Sequence, residues 1–232
     1  MKTNLKTDIF ERIHFLREFP LFDSLSEGEL YQLSQKVEEK LTRKHHFIYL
    51  AGDPCISLFF LYKGTVKIGI HSEEAKEVIK NIIHPMTMFG EWSALGDEKR
   101  TEFAQAMDHS AHYFVLNSDI FKELMRNNFE FSQKVFMILG RKLKNTERRL
   151  ESLIIKDART RIIEFLKDNA KNFGRQVGFE MLLNHSLTQQ DIANFTGTSR
   201  QTVTSVLNDL KKSNQIHFKR KTILIRDMAS LA

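Results

Sequence analysis

The sequence predicts an α+β protein: an antiparallel β-roll in the N-terminal half, one long helix after it, and a small C-terminal domain of helices with a strand pair. Three observations carry this. Between Leu41 and Leu116, short β-branched and aromatic runs alternate with Gly, Asp and Pro turn signals. From Phe129 onward, apolar residues recur in steps of three and four over more than three heptads. After Thr188, two short helical patterns flank Gly197, and two β-rich runs follow around a basic turn.

Residues 1–40 read as helical. Phe10, Ile13, Phe15 and Leu16 lead to Pro20, and Leu30, Leu33 and Val37 follow a helix-start signal at 24–29. The β-rich runs are 46–50, 57–62, 65–70, 78–83, 102–107 and 111–116, punctuated by Gly52-Asp53-Pro54, Lys63-Gly64 and Gly96-Asp97. Short strands at such spacing predict a compact antiparallel roll of the double-stranded, jelly-roll-like kind. Asn117 or Ser118 then opens a helical region.

Phe129, Ser132, Phe136, Leu139, Leu143, Thr146, Leu150 and Leu153 form a strict heptad seam, with Lys142, Lys144, Glu147, Arg148, Arg149 and Glu151 beside it. A seam this narrow predicts a parallel helix pair, hence a homodimer closed by Phe136, Leu139, Leu143, Leu150 and Leu153. The alternative is one amphipathic helix lying on its own domain. Thr146 is the polar residue in the seam. Asp157 interrupts the pattern, and 158–169 resumes as a new amphipathic helix. The chain thus divides into a roll with N-terminal helices (1–128), a dimerisation helix (129–156) and a C-terminal domain (157–232).

In that last domain Thr188 caps a helix, with Asp191 as its capping-box partner. Ile192, Ala193 and Phe195 supply its apolar face. Gly197 permits the left-handed turn of a helix corner. Thr198 or Ser199 caps the second helix, and Val203, Val206 and Leu207 form its buried stripe. Its exposed face carries Ser199, Arg200, Gln201, Thr204, Ser205 and Asn208. Arg suits the two acceptors of guanine and Gln suits adenine, as expected of a helix meant for the major groove; the alternative is an ordinary helical hairpin with a solvated face. Two β-rich runs then flank a three-residue basic turn, Lys219-Arg220-Lys221. They read as a wing with a cationic tip, completing a winged helix-turn-helix.

Composition agrees. Residues 141–232 hold 18 Lys and Arg against 9 Asp and Glu, while residues 1–140 hold 17 against 20. The positive charge sits with the helix-turn-helix, the electrostatic footprint of a DNA-binding domain. There is no apolar stretch of the roughly 20 residues a membrane span needs, and the N-terminus lacks a signal-peptide core. The expected location is cytoplasmic. One cysteine, Cys55, excludes a disulfide framework and an iron–sulfur cluster. His45, His46, His71, His84, His109 and His112 are scattered, so they read as surface or core residues rather than a haem ligand. The pairs His45-His46 and His109/His112 lack the third ligand of a metal site.

The stretch from Met88 to Thr101 invites a chemical reading. Gly90 lets the backbone turn into a short helix over 91–95, whose free amides favour an anion. Arg100 and the Thr101 hydroxyl return after a turn and can complete a phosphate cage. Glu91 can accept from a ribose hydroxyl. The plainer alternative is a turn with a salt-bridged arginine.

The β-roll, the Phe89-Gly90-Glu91 and Arg100-Thr101 motifs, the long helix, the Asp157 hinge and the winged helix-turn-helix together resemble the CRP/FNR family of bacterial transcription regulators. The resemblance covers roughly residues 20–228. It implies a roll that binds an effector, often cyclic AMP, with Glu91 on the ribose, Arg100 and Thr101 on the phosphate, and Thr146 on the adenine. It also implies that Arg200 and Gln201 read bases while Ser199 lies near phosphate, and that RNA polymerase is a partner. Gln201 stands where the family usually has Glu, and Ser205 where it has a later Arg, so the preferred half-site should differ. Glu102 and Glu147 stand where cyclic-AMP binders carry small residues, and the turn between Glu91 and Arg100 is about one residue short. A carboxylate beside a phosphate repels it unless it points away.

The expectation is therefore a homodimeric, sequence-specific DNA-binding regulator switched by an effector in the roll. The alternatives are a regulator without a small-molecule effector, a non-specific architectural DNA binder, and a cupin-like metalloenzyme. The last needs closely spaced His and Glu ligands on adjoining strands, which the sequence lacks.

Overall fold

The computed structural model describes residues 8–74 and 76–231, with the backbone of Thr3–Asn4 (β1). The helical expectation for the rest of 1–7 lies outside the described residues. Helices α1 (Ile9–Glu18) and α2 (Glu27–Lys36) flank a 3-10 turn at Pro20–Phe22. The roll follows: β2 (Glu38–Arg43), β3 (Phe47–Tyr49), β4 (Ser57–Lys63), β5 (Val66–His71), β6 (Glu77–Ile83), β7 (Thr87–Phe89), the short helix α3 (Trp92–Leu95), β8 (Phe103–Ala106) and β9 (Ser110–Asn117). Then come α4 (Ser118–Asn127), α5 (Phe129–Ile155), α6 (Ala158–Phe173), β10 (Arg175–Val177), β11 (Glu180–Asn184), α7 (Gln189–Thr196), α8 (Arg200–Lys212), β12 (Ile216–Lys219) and β13 (Thr222–Ile225).

The roll comprises two antiparallel sheets, ordered β1-β2-β9-β4-β7 and β3-β8-β5-β6. Each predicted β-rich run forms a strand. Three strands are additions: β1, at a place expected to be helical, β2 and β7. Residues 38–40, expected to be helical, belong to β2, which pairs with β9 from Glu38↔Val115 to Arg43↔Ser110. Its buried residues are polar, one on each face: Glu39 is ion-paired with His112, and Thr42 is 2.9 Å from the Tyr113 hydroxyl. Only Leu41 in this strand is apolar, so alternation could not reveal it. β7 has just three residues and pairs with the middle of β4.

Two compact units emerge. One comprises residues up to Ile70 with Lys80–Lys144; the other comprises His71–Ile79 with Asn145–Ala232. In the first, one core lies under the helices, where Phe15 stacks on Phe114 at 3.9 Å and Phe22 meets Phe60 and Phe131. The second core fills the roll with Phe59, Phe89, Tyr113, Ile68 and Val66. Burying each such aromatic contributes about 1.5–3 kcal/mol. The N-terminal turns of α5 belong to the first core, with Phe131 and Val135 buried. Ser132, expected in the heptad seam, is buried there too and donates to the Met125 carbonyl at 2.6 Å.

The second unit packs α6, α7 and α8 through Ile162, Leu166, Ile192, Ala193, Val203, Leu207 and Leu210. Its sheet is four-stranded, ordered β10-β11-β13-β12, so the wing is backed by a hairpin the sequence did not announce. Lys219 pairs with Thr222, which leaves Arg220-Lys221 as a two-residue turn rather than the three-residue turn expected.

Candidate DNA-recognition surface and effector pocket

The recognition surface is built from helix ends. The Thr188 hydroxyl accepts from the Asp191 amide at 3.1 Å, and the Asp191 carboxylate accepts from the Thr188 amide at 2.8 Å, closing a capping box. α7 ends at Gly197, which adopts φ 64° and ψ 43°. The last carbonyls of a helix lack intrahelical partners and carry its negative end. Here two arginines satisfy them. Arg149 donates to the Phe195 carbonyl at 2.6 Å with its guanidinium 4.1 Å above the Phe195 ring, and also to the Ile79 carbonyl at 2.7 Å. Arg161 donates to the carbonyls of Thr196, at 2.9 Å, and Gly197, at 3.2 Å. Neither role is marked locally: Arg149 sits among charged residues that read as solvated, and Arg161 lies in an amphipathic helix whose partners come from a distant stretch.

Ser199 caps α8 by accepting from the Thr202 amide at 3.0 Å. Val203, Val206, Leu207 and Leu210 turn inward. On the opposite face Ser199, Arg200, Gln201, Thr204, Ser205 and Asn208 line one open concavity. The six residues picked out as a base-reading face are therefore contiguous in space. Thr204 is only half-exposed: its hydroxyl lies 2.6 Å from the Gln189 amide oxygen and 2.9 Å from the Arg200 carbonyl. The Thr188 hydroxyl is engaged in its own cap. Lys219 and Lys221 are exposed, one ending β12 and the other in the wing turn.

In the roll, Gly90 has φ +76°, and a Cβ there would come within 2.8 Å of the Phe59 ring and 3.1 Å of Arg100. Arg100 is 5% exposed, so whatever its charge meets is fixed by the protein. It donates to the Gly90 carbonyl at 3.0 Å and to the Ser57 carbonyl, with its guanidinium 4.5 Å from the Tyr49 ring centre and 5.3 Å from that of Phe59. Its Nε and the Tyr49 hydroxyl are buried without a hydrogen-bond partner. Burial, followed by the field of Glu102, holds the Tyr49 phenol in its protonated form far above its usual range. Both orphaned atoms are thus donors.

Glu91 is the N-cap of α3, and its carboxylate pairs with Lys142 at 2.7 Å; Lys142 also donates to the Met88 carbonyl at 2.9 Å. Glu102 is buried and paired with Lys80 at 3.2 Å, so its charge is opposed locally. Thr101, Thr146 and Glu147 are exposed. Arg100, Gly90 and Glu91 thus share one neighbourhood, with Thr101 adjoining in sequence. Tyr49, Lys80 and Lys142 were missed as members, since nothing in their own stretches marks them.

A helix-turn-helix with a capped, polar reading face and a β-roll with a buried arginine, carried on one chain, define a class: sensor rolls joined to DNA-binding domains. Residues 39–128 match the cyclic nucleotide-binding domain family, and residues 160–232 match the Crp-like helix-turn-helix domain family. The CRP-like cAMP-activated global transcriptional regulator of Mycobacterium tuberculosis is 28% identical over 212 residues, covering 91% of this chain and 94% of the relative. The global nitrogen regulator of Nostoc sp. is 27% identical over 187 residues, covering 80% and 83%. Among solved structures, FixK2 from Bradyrhizobium japonicum superposes with a TM-score of 0.75 at 19% identity, covering 84% of this chain and 95% of that one. A CooA variant from Carboxydothermus hydrogenoformans gives 0.74 at 25% identity, covering 99% and 96%.

The chain belongs to the CRP/FNR family of transcription regulators. Its domains and relatives are those of regulators, not enzymes. No helix among the described residues is long and apolar enough to cross a membrane.

Proposed function

We propose that the protein is a cytoplasmic homodimer that binds a pseudo-palindromic DNA operator through α8 and is switched by an effector in the β-roll. The observation that carries the DNA reading is the contiguous face of Ser199, Arg200, Gln201, Thr204, Ser205 and Asn208 on a helix fixed by caps at both ends of its corner. Arg200 and Gln201 reach base edges from the first turn, Ser199 lies near phosphate, Thr188 stands at the start of α7 facing the backbone, and Lys219 and Lys221 hold phosphate from the wing. The proposed division of labour is a sensing part (1–128), a dimerisation helix (129–156) and a DNA-binding part (157–232). RNA polymerase is the partner the family implies.

Selection of duplexes from a random pool, followed by binding titrations, tests this reading. The preferred site should exceed unrelated DNA by about a thousandfold or more, with half-sites about 34 Å apart. Equal affinity for all sequences with a steep salt slope would make it an architectural binder instead.

For the effector, the residues present suit a group rich in acceptors, because the unpartnered Arg100 Nε and Tyr49 hydroxyl are both donors. Arg100 and Thr101 would hold its anionic part, Gly90 would admit it closely, Glu91 would meet a hydroxyl, and Thr146 would contact its base. Lys80 opposes the Glu102 charge that the sequence set against a phosphate. An effector acts only through its difference in affinity for the competent and incompetent arrangements. Calorimetric titration with cyclic AMP, with Arg100→Ala as control, tests the nucleotide. Micromolar binding abolished in the variant supports it; no binding by the parent protein removes cyclic AMP and leaves the DNA reading standing.

A further inference from the structure

The DNA-reading face contains one residue whose hydroxyl is tied to the other helix of the corner. Thr204 belongs to that face with Arg200, Gln201 and Ser205. Its hydroxyl, however, lies 2.6 Å from the Gln189 amide oxygen on α7 and 2.9 Å from the Arg200 carbonyl of its own helix. A hydroxyl has one hydrogen, and both neighbours are protein acceptors, so that hydrogen is claimed within the protein whichever takes it. A threonine Cβ carries only a hydroxyl and a methyl. With its hydrogen spent between α7 and the α8 backbone, the hydroxyl can no longer donate to a base, and the methyl is the group that can pack on one. Threonine is stiff at χ1, and a hydroxyl anchored at two points stiffens it further. Gln189, the first residue of α7, is the side chain that joins this position to the other helix of the corner.

We infer that Thr204 reads DNA through its methyl group, that Gln189 is the positioning residue holding it so, and that each half-site carries a thymine against it. An apolar contact with the thymine C5 methyl is the one base feature in the major groove that such a group recognises. The inference rests on the DNA reading above and deepens it: Arg200 and Gln201 supply hydrogen-bond readout, and Thr204 supplies methyl readout. It also revises the expectation that Thr204 serves as one more hydrogen-bonding side chain.

The test uses the full chain and its selected operator. Each thymine is replaced in turn by deoxyuridine, which removes only the C5 methyl, and affinity is read by fluorescence anisotropy. One thymine per half-site should lose about three- to fivefold, the worth of one desolvated methyl. Thr204→Ser, which keeps the hydroxyl and loses the methyl, should abolish it while still choosing the operator over unrelated DNA. Gln189→Ala should weaken the thymine preference without touching the base steps read by Arg200. An operator whose thymines all tolerate uracil, or a Thr204→Ser protein with the full preference, overturns the inference and leaves the DNA reading intact. A protein that selects no duplex overturns both together.

Discussion

Single residues here are constrained by what they can reach. Arg200 is exposed on the open face of α8, whereas Arg100 is buried and held by carbonyls and rings, so the two arginines answer to different tests. Arg200→Ala should leave the fold intact, cost about 1–3 kcal/mol on the preferred duplex, and relax the base preference at one position. Titrations against a panel of single-base variants check this, and equal losses on every duplex would remove Arg200 from base readout. His84 offers a stability test. Burial drives its pKa down to about 4 from an ordinary 6.5, with Asp108 opposing the shift. Between those values the unfolded chain binds a proton that the folded chain lacks, so stability rises with pH through this window. Acidification from pH 7 to 4.5 should therefore cost up to about 3 kcal/mol through this residue. Burial also lowers the pKa of His185, which adds in the same direction. Urea midpoints across that range check the prediction, and His84→Gln should flatten the profile.

At the scale of elements, legibility followed chemistry. The capping box of Thr188 and Asp191, the left-handed Gly197 and the Ser199 cap were all readable, because local hydrogen bonding and φ sign are written in residue type. β2 was not, because its two buried residues are Glu39 and Thr42, on opposite faces and satisfied by His112 and Tyr113 about 70 residues away. No local pattern encodes buried polar residues whose partners arrive from a distant strand. The hairpin β10–β11 escaped for a related reason: β10 is exposed along its whole length, so it shows no alternation. At the candidate effector site, Gly90 and Arg100 were legible as a motif. Tyr49, Lys80 and Lys142 entered only through tertiary packing. The wing was legible in kind, though one residue tighter, and that geometry leaves Arg220-Lys221 at its tip. Lys219→Ala or Lys221→Ala should weaken all duplexes alike and reduce the salt slope by about one. Affinity measured from 50 to 200 mM salt checks it; an unchanged slope in both variants would take the wing out of the interface.

For the molecule as a whole, the question is what covers the apolar face of α5. A single copy leaves Phe136 66%, Leu143 61% and Leu150 58% exposed, with Leu153 also exposed and Leu139 only partly covered by the helical core. Leaving so many large side chains of one helix in water is unfavourable by about 1.5–3 kcal/mol each relative to burial. They share the spacing that lets two helices pack knobs into holes, and the first turns of α5, where Phe131, Ser132 and Val135 face inward, are excluded from it. The occupant we expect is therefore α5 of a second copy, joined from Phe136 onward. Leu143→Glu or Leu150→Glu places a carboxylate on this face, and two such charges facing each other in a symmetric pair repel as well as resist desolvation. Light scattering should show the parent protein at twice the chain mass and either variant at the chain mass, with circular dichroism unchanged. Operator affinity should fall in parallel, because a palindromic site is read tightly only when both recognition helices are delivered together. A variant that stays dimeric would mean that this face is covered by something other than its own copy.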